Sequence, residues 1–253
     1  MRLDMYLVNN NYFKTRSRAQ QEIKDGHVLV NGKIQKSSFD VSDNDKIELK
    51  DIIPYVSRGG LKLEKAIKVF NLDFKDKIIL DIGASTGGFS DCAIKHGAKL
   101  VYAVDVGSNQ LDESLRNNPK IISMENTNVL DTDIKDNIDF LVMDVSFVSI
   151  IHLVDAIKKY LNDTNKLVCL IKPQFEAGQM INKGVIRDKN MHKEILEKVK
   201  NELESNDLYI NQLDYSPIKG GSGNIEFISI IENHKKGDIN ISAVVNNAHK
   251  KED

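Results

Sequence analysis

An apolar strand that runs straight into a glycine-rich turn and a helix start constrains this chain more than any other feature. A strand predicted over Lys77–Asp81 leads into Ile82-Gly83-Ala84-Ser85-Thr86-Gly87-Gly88-Phe89. Glycines admit left-handed backbone and close approach of a ligand, and a helix N-terminus presents N–H groups with no partner inside the helix. The spacing is GxxxGG, not the GxGxxG of dinucleotide binders. Asp81 at the head of the turn is unfriendly to a pyrophosphate. It suits a cationic amine, such as the amino-acid end of S-adenosylmethionine. A turn of this kind that binds nothing is the bland alternative.

The pattern after the turn alternates strand, loop and helix. Further strands are predicted over Leu100–Asp105, Lys120–Met124, Ile138–Asp144, Lys166–Ile171, Tyr209–Tyr215 and Glu226–Glu232, with helices such as Phe89–His96 and His192–Ser205 between them. That alternation predicts an α/β fold with a doubly wound, mostly parallel sheet. The second strand ends at Asp105, an acid placed to accept hydrogen bonds from both hydroxyls of a ribose. In open sheets of this kind the ligand crevice lies at the carboxyl ends of the strands. Asp144 and Lys172 end the fourth and fifth strands and so face the same crevice. Pro173 holds Lys172 out of helical geometry. Lys62, in a helix predicted from Leu61 to Phe70, and Glu226, at the start of the last strand, complete two lysines and two carboxylates suited to proton transfer. Spacing alone would leave Lys62 and Glu226 as surface ion pairs.

The first 50 residues read differently. Leu3, Tyr6 and Leu7 repeat at helical spacing. Ser17 and Gln20 are spaced to cap a second helix, which Asp25-Gly26 ends. Asn31-Gly32 between short apolar runs is a hairpin signal. This is a small α+β unit over residues 1–53. Pro54-Tyr55-Val56-Ser57-Arg58-Gly59-Gly60 reads as a linker over 54–60, residues 61–233 as the main domain, and 234–253 as a polar, poorly ordered tail.

Composition limits the partners. The 253 residues are 41% hydrophobic and 28% charged, with formal net charge −2, so the chain as a whole is no basic coat for nucleic acid. Residues 1–62 nevertheless carry 11 Lys/Arg against 8 Asp/Glu, and the remainder 24 against 29. A polyanion should meet the N-terminal unit first. Arg2, Lys14, Arg16, Arg18 and Lys24 surround its second helix and are candidate phosphate contacts, with Arg58 in the joint a candidate substrate contact. A solvated helix face is the plain alternative. Cys92 and Cys169 sit in apolar runs without a CxxC partner, which fits buried thiols in a reducing cytoplasm. The scattered histidines give no metal-ligand spacing. No run approaches ~18 apolar residues, so no membrane span is expected.

Ser57-Arg58-Gly59-Gly60-Leu61-Lys62-Leu63, the Gly83–Phe89 turn, Val104-Asp105-Val106-Gly107, Asp144-Val145-Ser146-Phe147, Lys172-Pro173-Gln174-Phe175-Glu176 and Gly223-Asn224-Ile225-Glu226-Phe227 together resemble the TlyA-type family. These are ribosomal RNA 2′-O-methyltransferases that also carry the label hemolysin. The resemblance spans roughly residues 1–232. It implies a Rossmann-like class I methyltransferase sheet of FtsJ type, preceded by an alpha-L RNA-binding domain, and no metal. It implies a catalytic tetrad at Lys62, Asp144, Lys172 and Glu226. The S-adenosylmethionine site it implies is built from Asp81, Gly83, Ala84, Ser85, Gly87, Gly88, Phe89, Asp105, Val106 and Asp144. The substrate it implies is a cytidine of ribosomal RNA, in a subunit or its precursor. The first helix begins almost at Met1, where longer relatives carry extra residues, which points to the large subunit over the small. A membrane-active cytolysin, a pure RNA-binding factor and a methyltransferase for proteins or small molecules are the competing readings. The first lacks an amphipathic or spanning segment, the second does not need the intact glycine turn and lysines, and the third does not need the RNA module.

Overall fold

The computed structural model describes residues 1–13, 15–50, 53–178 and 184–251. They form two compact units, Met1–Pro54 and Tyr55–Asp253. In the first, helices α1 (Leu3–Asn9) and α2 (Arg16–Lys24) pack beside a three-stranded sheet of β1 (Val28–Val30), β2 (Lys33–Ile34) and β3 (Ile47–Leu49), ordered β2-β1-β3. Leu3, Leu7, Ala19, Ile23, Val28 and Val30 fill its core. Asn31 and Gly32 both take positive φ, as the two-residue hairpin turn demands. The cap of α2 is Thr15, not Ser17: its side chain accepts from Arg18 N at 3.2 Å. Gln20 does not close a capping box. Its amide reaches Asp4 instead, at 2.7 Å.

The second unit begins with α3 (Gly59–Val69), then β4 (Ile78–Ile82), α4 (Gly88–Lys95), β5 (Leu100–Val104), α5 (Glu113–Arg116), β6 (Ile121–Met124), β7 (Phe140–Met143), α6 (Val154–Tyr160) and β8 (Lys166–Ile171). It continues through α7 (Pro173–Glu176), α8 (Lys189–Glu204), β9 (Tyr209–Tyr215), β10 (Phe227–Glu232) and α9 (Ile241–Lys250). The seven strands are ordered β6-β5-β4-β7-β8-β10-β9. This is the expected α/β, Rossmann-like, doubly wound sheet. Strands β4 to β8 are parallel, and β10 runs antiparallel to both neighbours. Order reverses between β4 and β7, which makes their carboxyl ends the natural ligand crevice. Central strands read as continuous apolar runs because both faces are covered: all four residues of β7 are buried.

Two sequence expectations change. Residues 54–60 are packed structure rather than a free linker. Tyr55 is buried, Val56 N donates to Asp91 Oδ2 at 2.9 Å, and α3 already starts at Gly59. A side chain at Gly60 would overlap the Tyr55 ring, so the glycine there serves packing. Within the expected tail of residues 234–253, the described part, 234–251, is ordered rather than a loose segment. Asn240 caps α9, and Ile241, Val245 and Ala248 bury one face of it against α8 and β9. Three apolar residues spaced by four and three make a narrow stripe, which the polar composition of the segment hides.

Candidate active site

Four charged side chains meet at the carboxyl edge of the sheet. Lys62 comes from α3, Asp144 and Lys172 from the ends of β7 and β8, and Glu226 from the residue before β10. Lys62 Nζ lies 2.7 Å from Glu226 Oε2 and 3.4 Å from Asp144 Oδ2. Lys172 Nζ lies 2.6 Å from Asp144 Oδ1, while its aligned hydrogen bond goes to Ser146 Oγ at 2.8 Å. Gln174 Nε2 donates to Glu226 Oε1 at 3.3 Å. Lys62, Lys172 and Glu226 are buried. The surface ion pairs expected of Lys62 and Glu226 are therefore absent, and the two residues belong to one interior network. Such a network is a poor device for stability, because taking charges out of water costs several kcal/mol per ion and a well-packed apolar set often does as well. Two cations face two anions here in one buried network.

Beside the network lies a cleft of about 630 Å³. Gly83, Ser85, Asp105, Val106 and Asp144, all anticipated from the sequence, line it. The Asp105 carboxylate is held by two backbone donors, Ser85 N and Gly107 N, each at 2.7 Å, which fixes its orientation and leaves acceptor capacity for a ligand. Asp81, Ala84, Gly87, Gly88 and Phe89 do not line the cleft. Gly87 takes φ +89, and a side chain there would overlap Leu115 and Leu111; one at Gly88 would overlap Ser57. These two glycines let α4 start against its neighbours rather than exposing backbone to a ligand. Asp81 is buried beneath the turn. Ser90 Oγ donates to its Oδ2 at 2.6 Å, but among the described residues its Oδ1 has no hydrogen-bond partner. Burial, with Asp144 and Asp105 nearby, pushes its carboxyl up to about 7. An orphaned buried acceptor of this kind calls for a cation or donor.

The profile of FtsJ-like methyltransferases matches residues 55–232, and that of S4 domains matches residues 1–47. The chain belongs to the FtsJ-like methyltransferase family. Hemolysin A of Brachyspira hyodysenteriae is 45% identical over 90% of this chain and 98% of its own. The 23S rRNA (cytidine-2′-O)-methyltransferase TlyA of Campylobacter jejuni is 35% identical over 90% of this chain and 97% of its own. A solved structure from Streptococcus thermophilus, provisionally named a hemolysin, superimposes with TM-score 0.78 at 40% identity, covering 99% of this chain and 96% of its own. Among the described residues no helix of this FtsJ-like methyltransferase is long and apolar enough to cross a membrane.

The S4 unit of this FtsJ-like methyltransferase sets its cations against two buried acids, Asp4 and Glu22. Asp4 accepts from Arg2 Nε at 3.1 Å, Arg16 Nε at 2.9 Å and Gln20. The Arg2 bond leads in holding the Asp4 carboxyl well below the usual carboxylate range. Both arginines stay about half exposed, at 46% and 50%. Arg18 pairs with buried Glu22 at 2.6 Å, and Lys24 is exposed in the last turn of α2. Lys14 lies outside the described residues. Arg58, in the catalytic unit, donates to the Lys219 carbonyl at 2.8 Å. The cysteines are free and buried.

Two features escaped the sequence reading. Thr127, Asn128 and Val129, after β6, form part of the cleft wall. Their place at the end of a crevice-facing strand was the available signal. Phe147 lines the same cleft, is 90% exposed and takes φ 66, and its ring lies 5.1 Å from that of Phe175. A bulky residue with positive φ is an outlier that the surroundings must hold in place. Glu176 braces this loop, accepting from Ser149 Oγ at 2.6 Å and Ile150 N at 3.1 Å.

Proposed function

We propose that this protein methylates the 2′-hydroxyl of a cytidine in ribosomal RNA, using S-adenosylmethionine. The observation that carries the reading is the Lys62–Asp144–Lys172–Glu226 network set directly beside a nucleoside-sized cleft, in a chain that also bears an S4 unit. The cleft suits an adenosyl ligand. Asp105 offers acceptors for ribose hydroxyls, Val104, Val129 and Val145 give apolar walls, and the open Oδ1 of Asp81 suits an ammonium group reached directly or through water. S-adenosylmethionine would supply a methyl already activated by its sulfonium charge.

What remains for the protein is to position the hydroxyl and take its proton. Lys172 is the residue assigned to that proton, accepting it in its neutral form. Asp144 holds Lys172 on one side and Lys62 on the other, and Glu226 anchors Lys62, so one lysine is steered by a chain of fixed contacts. The exposed Phe147 ring at the rim offers a face on which an unstacked base can rest, which is how sequence-selective RNA enzymes hold a nucleotide outside a helix. Arg2, Arg16, Arg18 and Lys24 of the S4 unit are assigned to phosphates of the same RNA, and Arg58 to the substrate near the site.

The Campylobacter relative is named for 23S RNA, and the Mycobacterium tuberculosis TlyA, 32% identical, for both 16S and 23S. The RNA shared by both names makes the large subunit our proposed main substrate. The experiment is a side-by-side incubation of separated large and small subunits with labelled S-adenosylmethionine, followed by mapping of the label. Label on a cytidine 2′-oxygen supports the reading. Label on protein, or none, overturns it, and label mainly in the small subunit overturns the subunit choice alone.

A further inference from the structure

A second cavity, of about 700 Å³, opens on the catalytic unit away from the nucleoside cleft. Its lining carries Arg187, Lys189, Lys219 and the Ser222 hydroxyl, with His249 contributed by α9 and no carboxylate. Arg187 and Lys219 are exposed. Among the described residues neither Arg187 nor Lys189 has an acid within ion-pair distance. Asp188, between them in sequence, is turned away to cap α8 through Met191 N at 2.7 Å. The result is a concentrated positive field in a concave surface, where charge acts most strongly on an approaching anion.

The walls of this cavity are tied together and to the active site. Asn224 is buried; its Oδ1 accepts from Ile186 N at 2.8 Å, and its Nδ2 donates to Gly184 O at 3.3 Å. One side chain thus joins the segment before α8 to the loop before β10. That loop is itself a tight turn, with Gly220 N donating to Asn224 O and Gly223 N to Gly220 O, both at 2.9 Å. A side chain at Gly220 would overlap the Glu226 carboxylate, so the loop passes hard against the catalytic network. Arg58, one residue before α3 and its Lys62, grips the same loop at the Lys219 carbonyl. A nucleotide held at the network is covalently continuous with its neighbours. Their backbone must leave across the surface around the network, and this loop adjoins the network at Glu226.

We propose that this cleft grips the sugar–phosphate backbone next to the nucleotide being modified, with Arg187, Lys189 and Lys219 as phosphate contacts and Ser222 as a hydroxyl donor. The proposal rests on the RNA methyltransferase reading and gives the catalytic unit its own share of RNA affinity, separate from that of the S4 unit.

The test compares the full chain carrying Arg187→Gln, Lys189→Gln and Lys219→Gln with a control carrying Lys75→Gln, Lys99→Gln and Lys120→Gln. The control removes the same charge at the opposite, amino ends of the parallel strands. Binding to deproteinised ribosomal RNA is measured against salt, and turnover against RNA concentration. Each phosphate contact contributes about 0.7–0.9 to the slope of log affinity against log salt, so the cleft variant, which loses three, should lose about 2–3. Its KM for RNA should rise about tenfold with kcat within about twofold, as expected when uniform binding is removed. Cofactor affinity should not move. An unchanged salt slope, an equal loss in the control, or a fall in kcat with KM unchanged would each overturn the proposal. Wild-type protein that transfers no label to RNA would sink the methyltransferase reading only, because the salt slope reads the cleft without turnover.

Discussion

The two units each bury acid among cations, and they do so to opposite ends. In the S4 unit one carboxylate, Asp4, serves two arginines whose outer faces remain in water. The acid fixes the geometry, and the outer guanidinium faces remain open to a partner. In the catalytic unit two acids meet two lysines, and Lys62, Lys172 and Glu226 are buried. Charge there is balanced, screened from water and held by short contacts. In the function we propose, the uneven, half-exposed cluster keeps its field for a polyanion outside, and the balanced, enclosed one turns its field on a single proton. Burial and stoichiometry separate the two, since the residue types are nearly the same.

Changing one member of the enclosed cluster should have the largest effect. Lys172→Arg keeps the charge but removes the ability to become neutral near pH 7, because arginine holds its proton. Methyl transfer should fall by about 10²–10⁴-fold, the usual worth of a positioned acid or base. Circular dichroism and calorimetry should show a folded protein that still binds cofactor. Turnover close to wild type would remove Lys172 from proton transfer.

The open cluster breaks differently. Asp4→Ala leaves Arg2 and Arg16 facing each other, but water can reach both. The loss should be about 2–3 kcal/mol, from charge-assisted hydrogen bonds at a buried carboxylate. Hydrogen exchange of the full chain should show it in residues 1–54, with β4–β8 still protected. Equal protection in both units would mean the acid does not organise the cluster.

Asp81 sharpens the comparison, as an acid in the catalytic unit with no cation paired to it among the described residues. Its carboxyl lies near 7 against 3.8 in the unfolded chain, mainly through burial. Raised in the folded state, it adds stability that is present below pH 3.8 and lost as pH rises through about 7. Cofactor-free protein should therefore melt lower at pH 7.5 than at pH 5, and Asp81→Asn should flatten that part of the curve. A ligand ammonium favours the ionised acid, so S-adenosylmethionine binding should strengthen by up to about tenfold per pH unit below 7 and release a proton. Proton release that persists in Asp81→Asn would assign the titration elsewhere.

The smallest effect concerns the brace on the Phe147 loop. Burial raises the Glu176 carboxyl, while Ser149 and Ile150 N–H oppose that shift. Glu176→Gln keeps one acceptor and should cost about 1 kcal/mol. In steady-state assays a loosened loop should raise KM for RNA a few-fold and leave cofactor affinity unchanged. A change in cofactor affinity alone would assign the Phe147 loop to the cofactor rather than to the RNA.

Much of this was readable from residues alone. The strand–turn–helix at Asp81–Phe89, the carboxyl-end positions of Asp105, Asp144 and Lys172, and the hairpin at Asn31-Gly32 follow from local pattern and the geometry of open sheets. Thr15 displaced Ser17 as cap because the helix began two residues earlier than the apolar spacing suggested, and the polar residues around α9 masked its three-residue stripe. Glycines 87 and 88 were legible as glycines, yet their reason was not. Leu111, Leu115 and Ser57 crowd them from segments distant in sequence.

Sequence by itself determined the fold class, the cofactor-type turn and the identity of the four charged residues. Tertiary structure decided that the four form one network. An apolar run buried on both faces has no direction written in it, since its pattern is the same read either way. Only the antiparallel pairing of β10 with β8, Phe227 opposite Ile171, brings the start of β10 to the carboxyl edge. Had β10 run parallel, Glu226 would lie at the far end of the sheet from Lys172, and Lys62 would face Asp144 without its second acid.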